Sequence, residues 1–289
     1  MSDSTTDRLR QLVGRIQGLP TLPQILSSMN RLMTNPRTSA KEVAQLISSD
    51  PAITSKVLRV VNSSFYGFPN RISTVTHAIV ILGFNTARSI VLSTSIFDAL
   101  KKPETTGGFD RLAFWRHSIA TGAVTRVVGR RAGFAAMEEF FLAGLLHDVG
   151  KIVLDSYFPA EFARIQAAVR EKDAAMVDVE PEILGGVTHA QIGGWLLEKW
   201  SLSRGLVDSV AHHHNPALAG ENIKAAAVVH LGDILARALC IGSGGDRRMP
   251  PFSDAAWSAL GIDPAAIPDI LREGAEEAER AMVFLEFAR

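Results

Sequence analysis

Apolar positions recur along this chain every three or four residues, the period of a helix that buries one side. Val43, Leu46 and Ile47 make one stripe, Ile53, Val57, Val60 and Val61 the next, and Val75, Ile79 and Leu82 a third. The polar positions between them read as boundaries. Ser39 and Glu42 have the spacing of a capping box, in which each side chain satisfies the other's backbone amide. Asp50 caps the helix that Pro51 opens, since proline's missing donor is not needed in the first turn. Asn62-Ser63-Ser64 ends that helix, Gly83 stops the third, and Asn85 is expected to cap a fourth that runs towards Leu100. Lys101–Gly108 has the composition of a linker. Beyond it, helices are expected around 110–131, 137–148, 160–172, 188–200, 203–214 and 223–240. A soft stretch, Gly242–Pro251, precedes a C-terminal helical stripe of Leu271, Ala275, Ala278, Met282 and Leu285. No run alternates as a strand would. The expected fold is all-α, with an N-terminal helical subdomain over residues 1–105 and a larger one over 106–289.

Composition narrows the function. The 289 residues are 47% apolar and 21% charged, ordinary for a globular protein. Thirty Lys+Arg balance thirty Asp+Glu, for a formal charge of zero. That argues against a nucleic-acid clamp or a polybasic membrane binder, both of which need clustered positive charge. A small anionic ligand needs only a local field and stays open. A single cysteine, Cys240, excludes an internal disulfide and a Cys-rich zinc site, so a reducing compartment is expected. Met1–Arg10 is polar and lacks the apolar core of a signal peptide. The longest apolar runs, such as Phe140–Leu146, fall far short of the roughly 20 residues that a spanning helix needs. A cytoplasmic protein is the expectation.

Seven of the eight histidines lie after residue 100, and their placement matters more than their number. His117 shares a stripe with Ala120, Thr121, Val124 and Val128. His147 shares one with Phe140 and Gly144, and Asp148 lies about 100° further round the same expected helix, near its end. His189 follows Thr188 at a helix start and heads the stripe Ile192, Leu196 and Trp200. His213 and His214 lean inward with Leu206 and Val210, whereas His212 falls on the polar side with Asp208 and Ser209. Asp233 sits among Ala226, Val229 and His230. A carboxylate on an apolar face costs several kcal/mol unless it is paired or metal-bound. Neutral imidazole is a common ligand for zinc, iron, manganese or nickel.

A lone histidine on an apolar face is more often a satisfied core residue, and for His117 alone that reading would suffice. Pairing with His230 would also account for Asp233, and the His212–His214 run could end a solvated helix before Pro216. Five inward histidines with two such aspartates on five helices favour a metal centre. Divalent ions there would leave a surplus of positive charge able to attract phosphate and activate water. His77 reads as structural.

Gly144-Leu145-Leu146-His147-Asp148-Val149-Gly150-Lys151 resembles the signature of the HD superfamily of metal-dependent phosphohydrolases. With His117, His189, His213-His214 and Asp233, the order resembles the two-metal pattern of the HD-GYP phosphodiesterases. From about Leu19 to about Cys240 the chain resembles the HDOD family. Leu19-Pro20-Thr21-Leu22-Pro23, Asp50-Pro51-Ala52, Asn62-Ser63-Ser64-Phe65-Tyr66-Gly67 and Ala78-Ile79-Val80-Ile81-Leu82-Gly83 match its N-terminal half in order. The resemblance implies that the larger subdomain is an HD-type helical bundle with a buried His/Asp metal site.

It further implies a metal-binding protein of bacterial signal transduction, with metal-dependent phosphohydrolase activity. The alternatives are an active two-metal phosphodiesterase or phosphatase on a nucleotide or other phosphate ester, or a catalytically inert protein-interaction scaffold. Its expected ions are two divalent transition metals, iron or manganese ahead of zinc or nickel. A phosphate-containing small molecule and a signalling protein are its expected partners. His147 and Asp148 resemble the central ligands, with Asp148 as the bridge. His117 and Asp233 resemble the outer ligands of one metal, and His189, His213 and His214 those of the other. Lys151 is expected to bind phosphate or protonate a leaving alkoxide, unless it is merely a cation favoured at a helix C-terminus. Asn215-Pro216-Ala217 stands where the HD-GYP pattern has its Gly-Tyr-Pro loop, which argues against cyclic-dinucleotide specificity. Ala113, one turn before His117, supplies no carboxylate for a third ion. Asn62–Gly67 suggests a packing elbow or a partner surface.

Overall fold

A computed structural model describes residues 24–33, 35, 37–100, 109–135 and 137–288. Met1–Arg10, the Leu19–Pro23 motif and the whole Lys101–Gly108 linker lie outside the described residues. Regular structure among the described residues is helical, with no strand, and no helix there is long and apolar enough to cross a membrane. Two compact units are present. Among the described residues, one comprises 24–100 with 280–288 and the other 109–279.

The first unit contains α1 (Gln24–Met33), α2 (Ala40–Ser48), α3 (Pro51–Val61), α4 (Val75–Leu82) and α5 (Phe84–Ala99). Ser39 and Glu42 form the capping box that starts α2. The Asp50 carboxylate accepts from the amides of Ala52 and Ile53 to start α3. Asn85 does not cap α5. That helix begins at Phe84 directly after Gly83, whose φ of +81° lets one residue end α4 and turn the chain into α5 without a side-chain cap. α5 is buried on all sides from Ser89 to Phe97, and the Thr94 hydroxyl donates back to Ile90 rather than staying unpaired.

Asn62 is a packing elbow. Its amide nitrogen donates to the carbonyls of Leu58 and Ile72, and its oxygen accepts from the Ile72 amide, each bond 2.7–2.8 Å long. This pins the loop between α3 and α4, while Phe65 packs edge-on against Tyr66 and Phe284.

The second unit is built around α6 (Arg111–Arg131), which packs against α7 (Met137–Leu146) and α13 (Ile223–Ala238). Gly144 makes that contact close: a Cβ there would stand 2.7 Å from both the Gly122 Cα and the Thr125 hydroxyl. Between α7 and α13 lie α8 (Val149–Tyr157), α9 (Pro159–Lys172), α10 (Met176–Leu184), α11 (His189–Lys199) and α12 (Arg204–Ala211). α14 (Asp254–Leu260) and α15 (Ile267–Ala281) follow.

The helix expected over 137–148 stops at Leu146. His147 and Asp148 form a turn, and α8 starts afresh at Val149. Lys151 therefore lies in the first turn of a helix, where the backbone dipole opposes a cation. The C-terminal explanation for this lysine fails.

Candidate metal centre

The turn after α7 makes Asp148 the focus. Its carboxylate caps no amide of α8 and is free to face the other helices. Oδ1 lies 2.9 Å from His189 Nε2 and 3.7 Å from His213 Nε2. Oδ2 lies 3.2 Å from His147 Nε2, 4.0 Å from His117 Nε2 and 2.7 Å from the Lys151 ammonium. Asp233, on α13, approaches from the opposite wall, with Oδ1 3.0 Å from His117 Nε2 and 3.5 Å from His147 Nε2.

Two groups of candidate ligands result, and they share Asp148. One is Asp148, His189, His213 and His214; the other is His117, His147 and Asp148, with Asp233 beside it. Apart from half-buried His214, these side chains are buried. Two of the sequence-flagged histidines stand elsewhere. His77 is exposed in the first unit and His212 is half-buried. His230 does not pair with Asp233: its Nδ1–H donates to the His213 carbonyl, and its Nε2 accepts from the Ser253 amide.

Ring orientation supplies a test of fit. His147 Nδ1 lies 2.7 Å from the Gly144 carbonyl, and His213 Nδ1 lies 2.8 Å from the Val210 carbonyl. His189 Nδ1 lies 2.7 Å from the Glu180 carboxylate. These partners accept, so each Nδ1 carries a proton and each ring turns its Nε2 towards Asp148. The buried Nε2 atoms of His117, His147 and His213, and Asp148 Oδ1, have no hydrogen-bond partner. Their nearest charged neighbours are one another: His117 Nε2 lies 3.0 Å from Asp233 Oδ1, and Asp148 Oδ1 lies 2.9 Å from His189 Nε2. Once Nε2 has lost its proton, its lone pair repels the carboxylate unless another cation takes the proton's place between them. The donor set therefore fits divalent transition-metal ions, with nitrogen and oxygen ligands backed by outer hydrogen bonds.

The field in the centre is uneven. Burial alone would raise the Asp148 pKa, but His147, Lys151 and His189 outweigh it and hold the group well below the usual carboxylate range. Burial opposes ionisation of Asp233 too, and Arg237, His117 and His147 overcome it. Burial pulls His147 down, but the carboxylates of Asp148 and Asp233 lift it to about 9. His213 and His214 are pushed well below 6.5, by burial first and then by neighbouring rings.

Three contributors escaped the sequence reading. Glu180 lies on α10 with Met176, Val179 and Leu184, all buried, a stripe of helical spacing that Pro181 obscured. Arg237, one turn after Asp233, brings Nε to 3.1 Å from Oδ1 of that aspartate. Its Nη1 donates to Asp246 at 2.7 Å. The Gly244 carbonyl accepts from Lys151 at 2.8 Å. These last two contacts come from the soft stretch after α13.

Comparison with known proteins agrees with this architecture. The structure resembles that of an HDOD domain protein of unknown function from Geobacter sulfurreducens, with a TM-score of 0.77 and 23% identity over 95% of this chain and 98% of that one. A protein from Shewanella amazonensis SB2B, named "Putative phosphohydrolase", gives a TM-score of 0.76 and 25% identity over 100% and 99% of the two chains. An uncharacterized protein of Treponema pallidum is 26% identical over 221 residues. That match takes in 76% of this chain but only 42% of the relative's length. The family model for the HDOD domain matches residues 19–216, which include every candidate ligand except Asp233. The chain belongs to the HDOD domain family.

Proposed function

We propose that this protein is a metal-binding regulator of signal transduction whose centre retains the ligands for metal-dependent phosphoester hydrolysis. One observation carries the reading: unbonded ligand atoms from one helix and two inter-helix turns converge on a carboxylate that serves two groups at once. Asp148 would bridge two divalent ions, preferably iron or manganese, with zinc or nickel as alternatives. His117, His147 and Asp233 would complete one side, and His189, His213 and His214 the other. Such an ion pair supplies Lewis acidity towards a phosphoryl oxygen and lowers the pKa of bound water.

The chain's own residues have distinct tasks. Glu180 and the carbonyls of Gly144 and Val210 fix the ring tautomers. Lys151, with Nζ beside Asp148, is the group positioned to hold a phosphate oxygen or to give a proton to a leaving alkoxide. A phosphate-containing small molecule is the proposed ligand. The proposal of a signalling protein as partner draws support from a fold shared with a protein of Marinobacter aquaeolei VT8, named "Putative signal transduction protein", at a TM-score of 0.76 and 24% identity. The lone cysteine, Cys240, supports placement in the reducing cytoplasm.

Metal analysis of untagged protein, followed by turnover of mono- and diester substrates with iron, manganese, nickel or zinc, tests the reading. Bound metal and activity lost in Asp148→Ala are expected. Activity that survives this substitution unchanged would refute the site, and protein without metal would refute the centre.

A further inference from the structure

The candidate ligands, His214 apart, are almost wholly shielded from solvent, Asp148, His147, His189 and His213 completely so. The polar covering includes residues 242–248, the stretch that follows α13. It is fastened to the centre by the two cations that also hold the two ligand carboxylates. Lys151 Nζ spans from Asp148 Oδ2, at 2.7 Å, to the Gly244 carbonyl, at 2.8 Å. Arg237 spans from Asp233, at 3.1 Å, to Asp246 Oδ1, at 2.7 Å.

We propose that residues 242–248 are a displaceable strap that occupies the place of a bound oxyanion. The Gly244 carbonyl and the Asp246 carboxylate take the contacts on Lys151 and Arg237 that oxygens of a phosphate ester would make. This rests on the reading of the centre as a phosphoester site, and it adds that the resting protein is closed to its ligand.

The surroundings allow such an exchange. Two cavities border the strap and share Ser243, Asp246 and Arg247 in their walls, one of about 480 Å³ and one of about 270 Å³. The smaller reaches His117 and Arg237, so the strap can shift without displacing core side chains. Gly242 and Gly245 have φ of +74° and +98°, conformations that glycine adopts at little cost. Their lack of a Cβ permits a close seat, since a Cβ on Gly242 would stand 2.3 Å from the Ala113 carbonyl. That carbonyl accepts from the Ser243 amide, beside the position where a further metal ligand is missing. At the far end Arg248 grips Asp173 through its carbonyl and its carboxylate, and Asp246 also accepts from the Met176 amide. The strap is thus anchored at its far end through Arg248 and Asp246, and held over the centre by Lys151, by Arg237 and by the Ser243–Ala113 bond.

Hydrogen exchange of the Ser243 and Gly245 amides in the full chain tests the proposal. Inorganic phosphate and bis(4-nitrophenyl) phosphate serve as probes, and binding and metal content are measured on the same samples. Either probe is expected to speed exchange of these amides by about fivefold or more. Asp246→Asn should speed it without any ligand and tighten phosphate binding by about tenfold. Arg248→Ala, which loosens the far anchor, should act in the same direction and keeps the test decisive if Asp246→Asn misfolds. Phosphate that binds without changing strap exchange overturns the proposal, as does phosphate that binds neither the wild type nor the loosened variants. Protein that holds no metal overturns the metal reading instead, because the strap contacts are made by Lys151 and Arg237 themselves.

Discussion

Glu180 holds His189 by two donors at once: its carboxylate lies 2.7 Å from the ring Nδ1 and 2.9 Å from the backbone amide of the same residue. Both side chains are buried. The pair fixes the ring's rotamer and tautomer, and it makes Nε2 a stronger donor towards the centre. Glu180→Gln keeps the shape but loses the charge, and it is expected to weaken metal binding about 10- to 100-fold. Glu180→Ala should also cost about 1–3 kcal/mol of stability, because it strands the buried Nδ1–H. Competition against a chelator and denaturant unfolding of the metal-free protein measure the two effects. Unchanged affinity in Glu180→Gln would remove His189 from the ligand set.

The two aspartates should differ in stoichiometry. Asp148 offers one oxygen to each ligand group, whereas Asp233 lies beside only the His117–His147 group. Asp148→Asn is expected to abolish binding of both ions, and Asp233→Asn to leave one. Elemental analysis of the purified variants reads this directly. Equal loss from both would mean that Asp148 does not bridge.

Acid should destabilise the metal-free protein. His213 and His214 sit well below 6.5 in the fold because burial penalises their charged forms. The unfolded chain takes up protons near pH 6.5 that the folded chain refuses, so stability falls as pH drops below that value. Each ring contributes up to about 1.4 kcal/mol per pH unit. His147 acts in the opposite sense: raised to about 9, it adds stability below pH 6.5 that is lost as pH climbs through 9. In urea titrations, His213→Asn should flatten the acid slope by about one proton, and His147→Asn should reduce the alkaline loss, which His189, raised against its burial by Glu180 and Asp148, shares.

In the first unit, Asn62→Ala removes three hydrogen bonds from the loop that joins α3 to α4. It should cost about 1–3 kcal/mol and leave metal content untouched. A change in metal content would contradict the assignment of Asn62 to packing.

Where local chemistry sets the structure, the sequence was legible. The Ser39–Glu42 capping box and the Asp50 cap follow from side chains bonding amides two or three residues away. The helices over 110–131 and 223–240 follow from long apolar stripes. The inward lean of His117, His147, His189, His213 and Asp233 followed from the same periodicity. The break at His147-Asp148 was hidden because the apolar period runs on from α7 into α8, and the turn is stabilised by tertiary contacts of Asp148. Glu180 was missed because Pro181 argues against a helix. Arg237, Asp246 and Gly244 were missed because a strap's partners are chosen by distant helices, which no local pattern records.

The candidate ligands extend from His117 to Asp233, across more than a hundred residues of chain. Ions held by them would tie together segments that meet only after most of the second unit has assembled, closing several long loops at one point. Because loop closure costs grow slowly with length, a few coordination bonds could secure a large part of this unit against unfolding. Metal supply would then govern how long the protein survives in the cell, whether or not it ever turns over a substrate.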